Sequence, residues 1–393
     1  MSKSKVKFAL FALATTFFAV GVTEFISVGV LPSVAQEFHL SVSTAGLITT
    51  IYALGVAIGA PILTLITSNF NKKKVISAAL LVFVLGHLLI AFAPNFITVL
   101  AGRFVAGAAH GLLFALSSII AAELVGESKQ ASAIAFIFSG FTIATAIGAP
   151  LGTSISNFIG WRIPFFIIAV LGFIALLMNM YVLPSKNDQR KISIGKQLQI
   201  FKNGHILLTL LITILGYGGT FATFTYLSPI LEKITHIDVD YISIILVIYG
   251  IAIAIGNSLG GKFGDLNPLN GLLTIFILQS LALFAFYFTA SNLILAILNI
   301  IVLGLLAFMS VPILQSYILI LAKSYTPEAL DIASSLNISS FSFGIVLGSF
   351  VGGKVIDTVG LSATTISAGI LVFAAIVLML IEFKLENKRK ALA

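Results

Sequence analysis

Apolar residues run along this chain in stretches of about twenty, each closed by a short polar, proline or glycine punctuation. Twelve such stretches stand out: 8–33, 43–67, 75–93, 97–122, 131–157, 163–183, 205–231, 241–261, 271–290, 293–321, 329–355 and 362–384. At 1.5 Å per residue each is long enough to cross a hydrocarbon layer of about 30 Å as a helix. A closed barrel would instead show alternating strands of about ten residues, so helices are expected. The first stretch is too long for a signal peptide and lacks a small-residue cleavage site, and it is read as a retained span.

Two six-span halves repeat. At an offset of 197, "IYALGVAIG" (51–59) falls on "IYGIAIAIG" (248–256), Gly21 and Thr23 on Gly218 and Thr220, Pro32 on Pro229, and Gly107 on Gly304. An offset of 200 brings Gly148 and Gly152 onto Gly348 and Gly352. The one long polar connection lies between them. The expected organisation is therefore an N-terminal six-helix bundle (1–183), a linker (184–204), and a C-terminal bundle with a short tail (205–393). Six spans return the chain to its starting side, so the repeats are parallel, related by an axis along the membrane normal. Substrate is then expected near the midplane between the halves.

Composition agrees with this pattern. Of 393 residues, 59% are hydrophobic and only 9% charged, against about 25% charged in soluble domains. Without cysteine, disulfides and thiolate metal sites are excluded. The net charge of +8 would suggest nucleic acid in a soluble protein, but position decides otherwise. Lysine and arginine cluster at 3–7, 72–74, 186–202 and 384–390, all on one side of the twelve spans, while the other side holds only Arg162, Lys233 and Lys354. That asymmetry predicts cytoplasmic termini and no nucleic-acid partner.

Chemistry concentrates in few positions. Glu24 is the one acid deep in a span, about 24 Å along the first. A charged carboxylate in lipid costs at least ~2.5–3.5 kcal/mol. It survives there protonated and hydrogen-bonded between helices, or facing a water-filled cavity as a proton carrier. The residue one repeat on is Phe221, so the architecture does not require an acid. Arg103 lies about 10 Å inside the fourth span, with Ile300 as its counterpart. It either snorkels to headgroups or places positive potential near Glu24. His110, two turns deeper on the same face, is a helix–helix hydrogen-bonding group or a direct participant. In the second half Tyr217, Tyr226, Asn257, Gln315 and Asn337 are polar groups in apolar spans, candidates for the cavity or for interhelical glue. No nucleotide loop, metal cluster or Ser/His/Asp constellation is present, so neither an enzyme nor a cofactor or metal is expected.

"EFISVGVLPSVAQEFHLS", "AGLITTIYALGVAIGAP", "GRFVAGAAHG" and "GWRIPFF" resemble the major facilitator superfamily, within it the twelve-span drug:proton antiporters of the arabinose-efflux-like branch. The resemblance covers 8–385. It implies the major facilitator fold and a proton-coupled exporter of drugs, sugars or nucleosides working by alternating access, acting as a monomer in the cell membrane with small molecule and protons as partners. An uncoupled facilitator or proton symporter is the alternative. The span-four motif matches Arg103 and Gly107. The span-five antiporter motif matches "GFTIATAIGAPLG", with Gly140, Gly148, Pro150 and Gly152, and implies export. Small residues there admit close helix approach, and the proline permits a kink. The loop after span two departs from the family's pattern: Ser68 takes the acidic position, while Lys72 and Lys73 keep the basic end. In the second half Asp265 keeps the acid and the basic end is lost. These charges are expected to gate the cytoplasmic side or to be ordinary topogenic lysines.

Overall fold

The structure is a computed structural model that describes residues 3–40, 42–185 and 193–392. The described residues hold helices and no strands. Twelve segments are long and apolar enough to span a membrane, in agreement with the sequence pattern. The first six spans are carried by α1 (Lys3–Glu37), α2 (Leu47–Thr67), α3 (Lys72–Ala91), α4 (Phe96–Val125), α5 (Gln130–Ile159) and α6 (Arg162–Val182), with a separate short helical turn at Val42–Ala45 ahead of α2. Asn71 and Asn95 cap α3 and α4 by accepting hydrogen bonds from the backbone N–H groups of Lys74 and Thr98.

Two later spans are not continuous, against expectation. The seventh divides into α7 (Gly204–Phe224) and α8 (Leu227–Lys233), the tenth into α11 (Leu293–Ala307) and α12 (Ser310–Tyr325). Between and after them run α9 (Val239–Leu266), α10 (Pro268–Thr289), α13 (Leu330–Thr358) and α14 (Ala363–Leu392). Each break falls four residues before a proline, Thr225 before Pro229 and Phe308 before Pro312. A proline ring collides with the carbonyl four residues back and offers it no N–H, which ends the upstream helix there. The counterpart of Pro312 in the first half is Ala115, and α4 passes through it unbroken. Pro32 and Pro61 are accommodated inside α1 and α2, so the proline permits a break without forcing one.

By contacts the chain forms two compact units, Met1–Leu198 with Glu328–Ser339, and Gln199–Pro327 with Ser340–Ala393. The start of α13 thus packs with the first unit. The linker carries short turns at Ile194–Gln197 and Leu198–Lys202. Its residues 186–192, with Lys186, Arg190 and Lys191, lie outside the described residues.

Within each unit, apolar side chains cover both the interior and the outer face. In α6, Phe165 and Ile168 are buried while Phe166, Phe173 and Leu177 are exposed. A lipid-facing surface has this character, and the polar groups are inside. Close helix crossings repeat between the halves. A Cβ on Gly107 would collide with the Tyr52 carbonyl, and one on Gly304 would lie 2.9 Å from the Tyr249 carbonyl, one repeat away. Only a bare Cα permits such approach.

Candidate functional site

Three helices of the first unit, α1, α2 and α4, meet at Arg103, which is wholly buried. Its Nε donates to the Ile48 carbonyl of α2 at 2.8 Å. Its Nη1 donates to the Thr23 carbonyl of α1 at 3.1 Å and to Thr23 Oγ1 at 3.0 Å. The guanidinium lies 3.9 Å from the centroid of the Tyr52 ring, a cation–π geometry strengthened by exclusion of water. Snorkelling to headgroups is ruled out by these contacts.

The network continues through Thr23 to His87 of α3. Thr23 Oγ1 is 2.6 Å from His87 Nε2, and His87 Nδ1 is 2.7 Å from the Phe83 carbonyl. A carbonyl only accepts, so Nδ1 carries the proton. In the neutral tautomer Nε2 then accepts from the Thr23 hydroxyl, leaving its oxygen free to accept from Arg103. Through Arg103 Nη1, the Thr23 hydroxyl, the His87 ring and the Phe83 carbonyl, each donor meets an acceptor. Tyr52 extends it, with its hydroxyl 3.0 Å from Nδ1 of His110. His110 therefore joins α2 to α4.

Glu24 is the residue after Thr23, and it is half-buried. It forms no salt bridge with Arg103, whose hydrogen bonds go elsewhere, although the two lie within electrostatic reach. Arg103 Nη2 is buried and has no hydrogen-bond partner among the described residues. A charged donor without a partner beside a half-exposed acid is an unfinished arrangement.

The span-five glycines act in packing. A Cβ on Gly140 would strike the Ala14 carbonyl of α1, and one on Gly152 would lie 2.9 Å from the Ile26 carbonyl. Gly148 is buried. The helix is continuous past Pro150, whose side chain lies outside the described residues.

Of the second-half candidates, Tyr226 donates to the Ser349 carbonyl at 2.8 Å and ties the break between α7 and α8 to α13. Tyr217 sits among Phe221, Phe308 and Phe341, with centroids 5.0, 5.8 and 5.0 Å away. Asn257, Gln315 and Asn337 are fully buried, and Asn337 belongs to the first unit.

The residues expected to gate the cytoplasmic side lie on helix ends and not in loops. Asn71 and Asn267 cap α3 and α10 and bring Lys72 and Lys73 into the first turn of α3 and Asp265 into the last turn of α9. Lys72 bridges Glu123 at 3.0 Å and Asp331 at 3.1 Å, while Lys73 is half-buried. Ser68, in the acid's place, accepts from Gln197 at 2.8 Å. A neutral hydrogen bond thus replaces one half of the family's charge pattern.

Sequence reasoning missed three groups. His87 was as visible as His110, a lone histidine within an apolar span. Glu123 and Asp331 end and begin their spans and read as boundary residues. Glu382 corrects the expectation that Glu24 is the only deep acid: it is wholly buried near the end of α14, 2.8 Å from His205 Nδ1 and 3.0 Å from the Tyr317 hydroxyl. At 382 in a span read as ending at 384, it counted as terminal.

Twelve apolar spans with polar groups and a buried cation inside define a multi-pass membrane protein. A family model described as the Major Facilitator Superfamily matches residues 13–323 and 209–392. The chain is 44% identical over 371 residues to the uncharacterized MFS-type transporter YtbD of Bacillus subtilis (strain 168), covering 94% of each chain. It is 36% identical over 377 residues to the inner membrane transport protein YdhP of Escherichia coli (strain K12), covering 95% of this chain and 96% of that one. Solved structures share the fold: the human organic anion transporter MFSD10 with TM-score 0.81 at 16% identity, covering 96% of this chain and 100% of that one. The proton:xylose symporter XylE follows with TM-score 0.79 at 16% identity, covering 96% of both. The chain belongs to the major facilitator superfamily, and it is a transporter, not an enzyme.

Proposed function

We propose that this transporter is a proton-coupled exporter, a substrate:proton antiporter for small molecules such as drugs, sugars or nucleosides, working by alternating access. The observation that carries the reading is the pairing of half-buried Glu24 with the incompletely bonded Arg103, both in the first unit. A carboxylate without a fixed cation partner exchanges a proton as its hydration changes. The neighbouring guanidinium sets the potential it titrates in. Substrate and proton then compete at Glu24, directly or through conformation, and one proton per cycle is the simplest stoichiometry. The glycine-rich α5 supports export over uptake through its match to the antiporter motif.

The charge asymmetry supports a cell-membrane location, the inner membrane of a bacterium, with both termini cytoplasmic, and one chain suffices as the working unit. A proton symporter is the second reading, favoured by the same acid: XylE, of the same fold, is described as a proton symporter. The test is substrate-driven proton movement in inverted vesicles, for wild type and Glu24→Gln, over dyes, chloramphenicol, pentoses and nucleosides. Proton release from the energised lumen by wild type alone is the expected result. Uphill export that survives in Glu24→Gln would sink the reading, and proton-driven uptake would select the symporter.

A further inference from the structure

A groove of about 590 Å³ opens on the first unit between the start of α1 and the start of α5. Its lining repeats one order on both helices. Along α1 come Ser4 and Lys7, then Phe8 and Phe11; along the other wall come Lys129 and Ser132, then Phe136. The spacings of three and four residues place each set on one helix face. From Lys7 to Phe11 is about 6 Å along the axis, and from Lys129 to Phe136 about 10 Å. Both walls are thus cationic at the rim and aromatic further in.

The groove has a floor. Three residues beyond Phe11 is Ala14, and four beyond Phe136 is Gly140, where the helices close backbone to backbone. The aromatic walls are open to the surroundings, with Phe8 61%, Phe11 55% and Phe136 46% exposed. In a membrane protein that exposure meets acyl chains. Neither Lys7 nor Lys129 forms an ion pair among the described residues, and Glu127, the acid nearest Lys129 in sequence, does not bridge to it.

We propose that this groove is a binding site for an anionic phospholipid, its phosphate held between Lys7 and Lys129 and its acyl chain laid along Phe8, Phe11 and Phe136. A phosphate offers acceptors to ammonium donors from two helices, and an acyl chain fits the apolar walls. A soluble anion would use the rim alone, and a zwitterionic lipid would bring a positive headgroup against two lysines. The groove commits to the anionic lipid because only that molecule is complementary at both ends. The site is independent of how transport is coupled.

The test is native mass spectrometry of the purified full-length chain, titrated with phosphatidylglycerol or phosphatidylcholine of the same acyl chains. Wild type should retain phosphatidylglycerol preferentially, and Lys7→Gln/Lys129→Gln should lower its affinity roughly 10- to 30-fold. Ser132→Trp, which fills the groove and keeps both lysines, should lower it as well. Lys74→Gln removes a charge from the first turn of α3, outside this groove, and should leave it unchanged. Glutamine at the two exposed lysine sites disturbs no core contact, and lipid-free thermal unfolding matched to wild type verifies folding. Equal retention of the two lipids overturns the proposal, as does retention by the double lysine variant. A loss in Lys74→Gln as large as in the double variant would mean diffuse attraction and overturn it too. Competition by glycerol phosphate would assign the lysines to a soluble anion instead.

Discussion

The two halves answer the same packing problem with opposite chemistry. In the first, Thr23, Tyr52 and Arg103 form one buried network. One repeat on stand Thr220, Tyr249 and Ile300, all buried. There Thr220 accepts from Gln279 at 2.6 Å, and the space beside Tyr249 and Ile300 is a cavity of only about 20 Å³, enough for one water. The backbone crossing beneath is shared, since Gly107 meets Tyr52 as Gly304 meets Tyr249. A repeat can therefore keep its helix geometry and discard its charge.

The largest difference between the halves should appear when both positions are given the same side chain. Arg103→Met removes three hydrogen bonds and leaves the Ile48 and Thr23 acceptors buried and unmatched. The expected cost is about 3 kcal/mol, seen as a lowered unfolding temperature in detergent, together with loss of transport. Ile300→Met conserves volume and should cost less than about 1.5 kcal/mol. Equal costs would mean that the guanidinium is ordinary packing. Thr23→Val should follow at about 2 kcal/mol, because Thr23 serves both Arg103 and His87. Thr220→Val, which loses one side-chain partner, should cost about 1 kcal/mol.

Much of this was legible in the sequence. Span number follows from the cost of polar groups in lipid, a constraint that acts locally on each stretch, whereas for Arg103 the sequence left snorkelling and burial both open. The network around Arg103 was not legible, because Thr23, Ile48, Tyr52 and His87 come from three other helices and nothing in their spacing announces the crossing. The lysine at 72 was visible as a charge, but its carboxylates at 123 and 331 are far off in sequence. The broken seventh and tenth spans were half legible. Pro229 and Pro312 could be seen, yet Pro32 and Pro61 sit in intact helices, so tertiary context decides. Glu382 was hidden by its place at a span end, where acids are ordinarily solvated.

A smaller contrast concerns the two tyrosines. The Tyr52 hydroxyl meets His110, so Tyr52→Phe should cost about 1 kcal/mol. The Tyr249 hydroxyl makes no hydrogen bond among the described residues, and its ring borders the 20 Å³ cavity. Tyr249→Phe should stay within about 0.5 kcal/mol of wild type in the same unfolding assay. A larger loss at 249 than at 52 would reverse the assignment of polar order to the first half.

The smallest expected effect lies at the end of α1, outside the apolar span. Glu37 accepts from Arg162 and, at 2.6 Å, from Trp161 Nε1, and these bonds hold its carboxyl below the usual range. Arg162 also donates to the Ala93 carbonyl at 2.9 Å, so one cluster ties α1, α3 and α6. The position one repeat on is Ile234, and the second half has no such tie there. Because folding lowers this pKa, the contribution is present above the unfolded value of about 4.3 and disappears as pH falls through the folded value. The pair is well exposed, so its worth at neutral pH is about 0.5 kcal/mol. Glu37→Gln should unfold slightly below wild type at pH 7, and the two should converge as the pH is taken below about 4. A gap that widened on acidification would mean that the protonated carboxyl, and not the ion pair, is what holds the three helices together.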